Sequence, residues 1–185
     1  MSLNDRQEAA GALVRLQHAI DWVGRTANWF ALAVVVLVAT NVILRYLASV
    51  GSVWAQELEW HMLAGLILLG MSYALKYSEP IRVDILYGSY SRRARKRVDA
   101  LTYLLTLIVC LLFVYLSLHY VGQSYVINEG SPDPGGLPHR WLLKALIPVG
   151  FGLLALQTAG ELALLIMTAP RQAAISHDSE TNHHV

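Results

Sequence analysis

Four long stretches of this chain contain no Asp, Glu, Lys or Arg, and that pattern leaves little choice of fold. The first runs from Thr26 to Leu44 between Arg25 and Arg45. At ~1.5 Å per residue it covers about 28 Å, close to the thickness of a bilayer's hydrocarbon core. The others are Trp60 to Leu75, Ala100 to Asn128, and Ala145 to Gly160 with an apolar continuation past Glu161 to Ala169. Leu58, Leu142 and Leu143 lengthen the shorter ones. With 55% of the 185 residues hydrophobic and 15% charged, too little amphipathic material remains to wrap four such blocks in a soluble shell. The sequence therefore predicts an all-α membrane protein with helices near 26–47, 57–77, 99–127 and 141–169.

Lys and Arg set the expected orientation. The arm before the first block carries Arg6, Arg15 and Arg25, and the first connection carries Arg45. The second connection holds Lys76, Arg82, Arg92, Arg93, Arg95, Lys96 and Arg97, the third Arg140 and Lys144, and the tail Arg171. The positive-inside rule places the second connection in the cytoplasm, and an even number of spans puts both termini there too. A net charge of +1 gives no reason to invoke nucleic acid, and the basic run is better explained by topology and anionic head groups. No cleavable signal peptide is evident, because the first apolar block follows 25 residues that include Asp5, Glu8 and Asp21.

The arm, residues 1–25, is amphipathic: Leu13, Leu16, Ile20 and Val23 recur at helical spacing. Two outcomes fit, an in-plane helix on the cytoplasmic leaflet or a short helix packed on the end of the bundle. Trp22, Trp29 and Trp141 suit interfacial anchoring, as do Arg92, Arg93, Arg95, Lys96 and Arg97 in the basic connection. Glu129 to Pro138 is a turn-rich loop, dense in Pro and Gly. The polar segment 170–185 reads as a disordered cytoplasmic tail. In the fourth block, Pro148, Gly150 and Gly152 should bend or thin the helix, and Ala155, Ala159 and Ala163 form a small-residue stripe.

Ionisable residues in a membrane segment mark function more often than elsewhere. Here they are few. Arg45 and Glu57 face each other across the short first connection, so an ion pair between them, or Arg45 snorkelling alone, is expected. His61 and His119 fall at similar depth on antiparallel helices and could ligate a b-type haem, the signature of a respiratory anchor subunit. The single cysteine, Cys110, excludes a disulfide or a cysteine metal cluster and reads as packing. Hydrolase, phosphate-loop and metal-spaced His/Glu motifs are absent, and no internal repeat suggests a carrier built from this chain alone. The chain is expected to be neither an enzyme nor a cofactor protein.

Several motifs in order resemble the small membrane subunit of TRAP (tripartite ATP-independent periplasmic) transporters, the DctQ-like or Q subunit. They are Asn41-x-x-x-Arg45-Tyr46, Trp54-x-x-Glu57, Gly70-x-x-Tyr73-Ala74-Leu75, Ile81-Arg82-Val83-Asp84, and Leu137-Pro138 to Trp141 followed by Ile147-Pro148-Val149-Gly150-Phe151. Pro80 stands where the family often has His. The resemblance implies an inner-membrane subunit without a transport site of its own. Its partners would be a large multi-helix permease, carrying solute and sodium by an elevator movement, and a periplasmic solute-binding protein delivering a carboxylate-bearing solute. In that frame the small subunit braces the large one, and Asn41, Arg45, Trp54, Glu57, Arg82 and Asp84 are expected to fix helix ends and the subunit interface.

Overall fold

The computed structural model describes residues 3–49, 51–77 and 90–181, with side chains described from 11 to 167 within those ranges. The described residues form four helices: α1 (Leu3–Leu47), α2 (Val53–Tyr77), α3 (Arg92–Val126) and α4 (Trp141–Thr181). Each contains a segment long and apolar enough to cross a membrane. The described residues contain no strand.

The helices stand in a row, α1–α2–α4–α3, rather than closing into a ring. Neighbours in the row contact each other extensively, α1 touches α4 lightly, and α3 packs only on α4 to any comparable extent. The buried positions are mostly small. Ala27, Ala55, Cys110 and Ala155 are inside, together with Ser72, Ser117, Ser124 and Thr158. Lipid is as apolar as leucine, so helices in a bilayer associate through close backbone approach rather than by hiding large side chains. Three of the hydroxyls cost little there, because each donates to a carbonyl of its own helix. Ser72 donates to Leu69 O at 3.4 Å, Ser117 to Val114 O at 3.1 Å and Thr158 to Leu154 O at 2.8 Å. Large apolar residues such as Leu32, Val35, Leu105 and Leu112 point outward, as a lipid-facing surface requires.

The α3–α4 seam repeats every seven residues: Cys110, Ser117 and Ser124 are the buried positions of α3. Phe113 stacks on Phe151 at 4.6 Å, and Tyr125 meets Trp141 edge-on at 5.2 Å. Between α2 and α4 the backbones approach closely at Gly150, where an added Cβ would lie 2.6 Å from Leu68 O. The glycine anticipated as a thinning of the fourth helix is thus a backbone contact. Of the alanine stripe, Ala155 is buried whereas Ala159 is exposed.

Three expectations need correction. First, the arm is not a separate in-plane helix: it and the first span form one continuous helix, Leu3–Leu47. Nothing between them breaks helix, since Gly11 and Gly24 are its only glycines and no proline intervenes. Its apolar face packs on the bundle, as the second of the two outcomes above has it. Leu13 and Leu16 lie within van der Waals reach of where a Cβ on Gly160 of α4 would be, Ile20 is fully buried, and Gly24 receives the Tyr73 ring of α2. Second, Arg92 to Arg97 do not lie in a connection. They form the first turns of α3, whose N-cap Ser91 accepts from the Ala94 amide. Third, the backbone of α4 continues as helix through Pro170 to Thr181, where a disordered tail was expected. A proline removes one donor, but Arg171, Gln172, Ala173 and Ala174 are good helix formers.

Candidate functional site

The densest polar arrangement lies where the α3–α4 loop meets the start of α2. Glu57, on the second turn of α2, is 1% exposed. One carboxylate oxygen accepts from the Ser131 hydroxyl, and the other accepts from the Leu137 amide at 2.5 Å. A buried carboxylate is tolerated only when donors surround it, and here the loop supplies them. The loop is shaped to do so. Asn128, Gly135 and His139 adopt positive φ, turning the chain out of α3 and back into α4, and Ser131 N donates to Leu137 O across the loop at 3.1 Å. Gly136 sits against Glu57, with an added Cβ falling 2.7 Å from Oε2.

A second tie fastens the same loop. Lys144, one turn into α4, bonds Glu129 and lies 4.0 Å above the Tyr120 ring, so one ammonium joins α3, the loop and α4. The hydrogen bond from Lys144 holds the Glu129 carboxyl below the ordinary carboxylate range. Arg140 N donates to Glu129 O at 2.9 Å and completes the knot.

At the opposite end of α2, Lys76 reaches α1. Its ammonium bonds Asp21 at 2.7 Å and Gln17 O at 3.0 Å, and the Tyr77 hydroxyl donates to the same Asp21 oxygen at 2.8 Å. The sequence named neither this group nor Ser131, Glu129 and Lys144. Lys76 and Asp21 lie 55 residues apart, and no local spacing reveals such a pair.

The residues that sequence did single out are distributed as follows. Asn41, half-buried on α1, donates to Glu59 Oε1 at 2.8 Å. Arg45, in the last turn of α1, is exposed and pairs with nothing among the described residues; of the two outcomes expected, the Arg45–Glu57 ion pair is not formed and Arg45 stands alone, while the loop supplies a donor to each Glu57 oxygen. Trp54, Trp22 and Trp29 are exposed, and Trp141 is half-buried against Tyr125. Arg92, Arg93 and Arg97 are exposed, Arg95 and Lys96 partly covered, with Arg95 Nε donating to Tyr90 O at 3.1 Å. Arg82 and Asp84 lie outside the described residues. The structure thus unites Glu57 with the loop and Asn41 with α2, and leaves Arg45 and Trp54 at the edge of that cluster.

The paired-histidine arrangement finds no support. His61 Nδ1 lies 2.6 Å from Glu57 O on its own helix, and His119 is exposed beside Gln123 on α3, which is not a neighbour of α2 in the row. Among the described residues no group of three His, Cys, Asp or Glu could hold a metal ion.

Compared with known protein families, residues 34–168 match the DctQ component of tripartite ATP-independent periplasmic transporters. The match takes in the second half of the first span, α2, α3, the loop and α4 as far as Thr168, whereas Gln17, Asp21 and Gly24 lie before it. No curated protein matches the chain.

Proposed function

The chain belongs to the DctQ family of tripartite ATP-independent periplasmic transporters, and from this premise we propose that it serves as the stationary brace of such a system. A DctQ component is the small, multi-pass inner-membrane member of a transporter whose other parts are a large permease and a periplasmic binding protein. It is a transporter component rather than an enzyme. The bracing role rests on one observation: a row of helices tied at both ends, by Glu57 and Lys144 at one and by Lys76 and the Tyr73 ring on Gly24 at the other, with wide apolar flanks. A permease that moves solute by sliding one part needs another part held still, and a multiply tied row supplies a rigid flank to hold.

In this reading both termini are cytoplasmic, following the Lys and Arg distribution. The Glu57-tied loop then faces the periplasm, where the binding protein arrives. Arg92, Arg93, Arg95, Lys96 and Arg97, at the other end of α3, grip anionic head groups, while Trp22, Trp29 and Trp141 resist vertical displacement. Asn41, Arg45, Trp54 and Glu57 order the periplasmic end against the permease, and Arg82 and Asp84 act at the cytoplasmic end. The solute is a carboxylate, recognised by the other two components, and uptake is ion-coupled.

The test is reconstitution. Liposomes holding the large permease, with binding protein and labelled carboxylate outside, should accumulate solute only when this chain is present, and this chain alone should carry none. Flux through the permease without it, at the full rate, would refute the brace. Reporter fusions at both ends of the chain, read for cytoplasmic or periplasmic activity, check the orientation independently.

A further inference from the structure

Where α1 and α2 separate at the loop-bearing end, a cleft of about 360 Å³ opens, lined by Asn41, Val42 and Arg45 of α1 and by Gln56, Glu59 and Trp60 of α2. Its chemistry is unusual for a membrane surface. Arg45 offers a guanidinium that bonds nothing among the described residues. Glu59 has one carboxylate oxygen engaged by Asn41, which fixes the group in place and leaves the other oxygen open. Trp60 is half exposed beside them. A cation and a carboxylate therefore share one cleft without pairing with each other. Such a site is complementary to a zwitterion whose phosphate and primary ammonium are a few bonds apart.

Below the cleft the surface turns wholly apolar. One and two turns down from Trp60 lie Leu63 and Ile67, and down from Val42 lie Val38 and Val35, all exposed. A soluble zwitterion has no use for that strip, whereas two acyl chains do.

We propose that this cleft holds one phosphatidylethanolamine. Its phosphate sits on Arg45, its ammonium donates to the open oxygen of Glu59, Trp60 flanks the glycerol region, and its chains run down the Val38 and Leu63 strip. Phosphatidylglycerol lacks the cation that Glu59 would bind. Phosphatidylcholine has a cation but no N–H to donate, so the carboxylate discriminates against both.

Native mass spectrometry of the full chain in a neutral detergent tests this, with phosphatidylethanolamine, phosphatidylcholine and phosphatidylglycerol of identical acyl chains titrated in turn. The expected result is one retained phosphatidylethanolamine, preferred about tenfold over the other two, as a charge-assisted hydrogen bond implies. Glu59→Gln, which can still accept from Asn41, should bind phospholipid but lose the preference. Arg45→Gln, at an exposed helix end where the fold does not depend on it, should weaken all three lipids. Soluble phosphoethanolamine should fail to compete. The proposal is overturned if phosphatidylglycerol binds the native chain equally well, or if Glu59→Gln keeps the preference. It is overturned too if soluble phosphoethanolamine displaces the lipid, which would make the cleft a site for a free zwitterion.

Discussion

The two ends of α2 are secured in different ways. At its start, Glu57 is buried and the partners come to it from a loop, Ser131 and Leu137, so the carboxylate organises chain that has no regular structure of its own. At its end, Lys76 and Asp21 join two helices that are already formed, and both side chains remain partly open, 14% and 25% exposed. The first arrangement decides a conformation; the second adjusts the spacing of rigid pieces. Partly exposed ion pairs contribute little because water competes for both charges, so most of the hold at the second end must come from the Tyr73 ring seated on Gly24.

That contrast can be broken at four points. Gly24→Leu, which drives a side chain into the Tyr73 ring, should lower the stability of the full chain by about 3 kcal/mol in thermal unfolding, the upper part of the overpacking range. A melt identical to the native one would mean that the contact is slack. Glu57→Ala should leave global unfolding less affected but expose the loop, with cleavage between Asn128 and Arg140 on the order of tenfold faster, since proteolysis follows the open population. Glu57→Gln, keeping an acceptor for the Leu137 amide, should fall between. If both variants resist protease as well as the native chain, the loop is held by its own turns.

Lys76→Met should be milder than either, with a small drop in melting temperature that shrinks further in high salt. A drop as large as that of Gly24→Leu would place the hold in the ion pair instead. The smallest expected effect is on acidification. Because the Lys144 hydrogen bond lowers the Glu129 carboxyl below its ordinary value of 4.5, Glu129 stabilises the fold above that value and loses its contribution as pH falls through the lowered folded value. The native chain should thus lose more stability between pH 6 and pH 3 than Glu129→Gln, as followed by thermal melts at each pH. Equal losses would remove the Glu129–Lys144 tie from the account.

The four spans were legible because uncharged blocks of bilayer length need no tertiary knowledge to interpret, and the motifs from Asn41 to Phe151 carried the family. The site was less so. Glu57 was found, but with the wrong partner: Arg45 is near in sequence, whereas Ser131 and Leu137 are 74 and 80 residues away. Turn-rich loops hide such pairings, since their Gly and Pro declare a bend without saying what the bend approaches. The basic run was read as charge alone, although Ser91 followed by Arg, Ala and Lys is a helix-start pattern that could have placed it on α3. The apolar face of the arm was legible as a face, with lipid and the end of the bundle left as its two possible partners: Leu13 and Leu16 lie beside Gly160 of α4, and amphipathicity cannot distinguish lipid from protein.

The single-file order of the helices has a mechanical consequence. A plank is stiff when loaded along its width and compliant when bent across its thickness, because resistance to bending grows steeply with the depth of material in the direction of the load. Four helices abreast, with α1 and α3 at opposite margins, have that anisotropy within the plane of the membrane. A neighbour pushing along the line of helices meets the full width of the array, while one pressing on its broad side meets little more than one layer, thickest where α1 also touches α4.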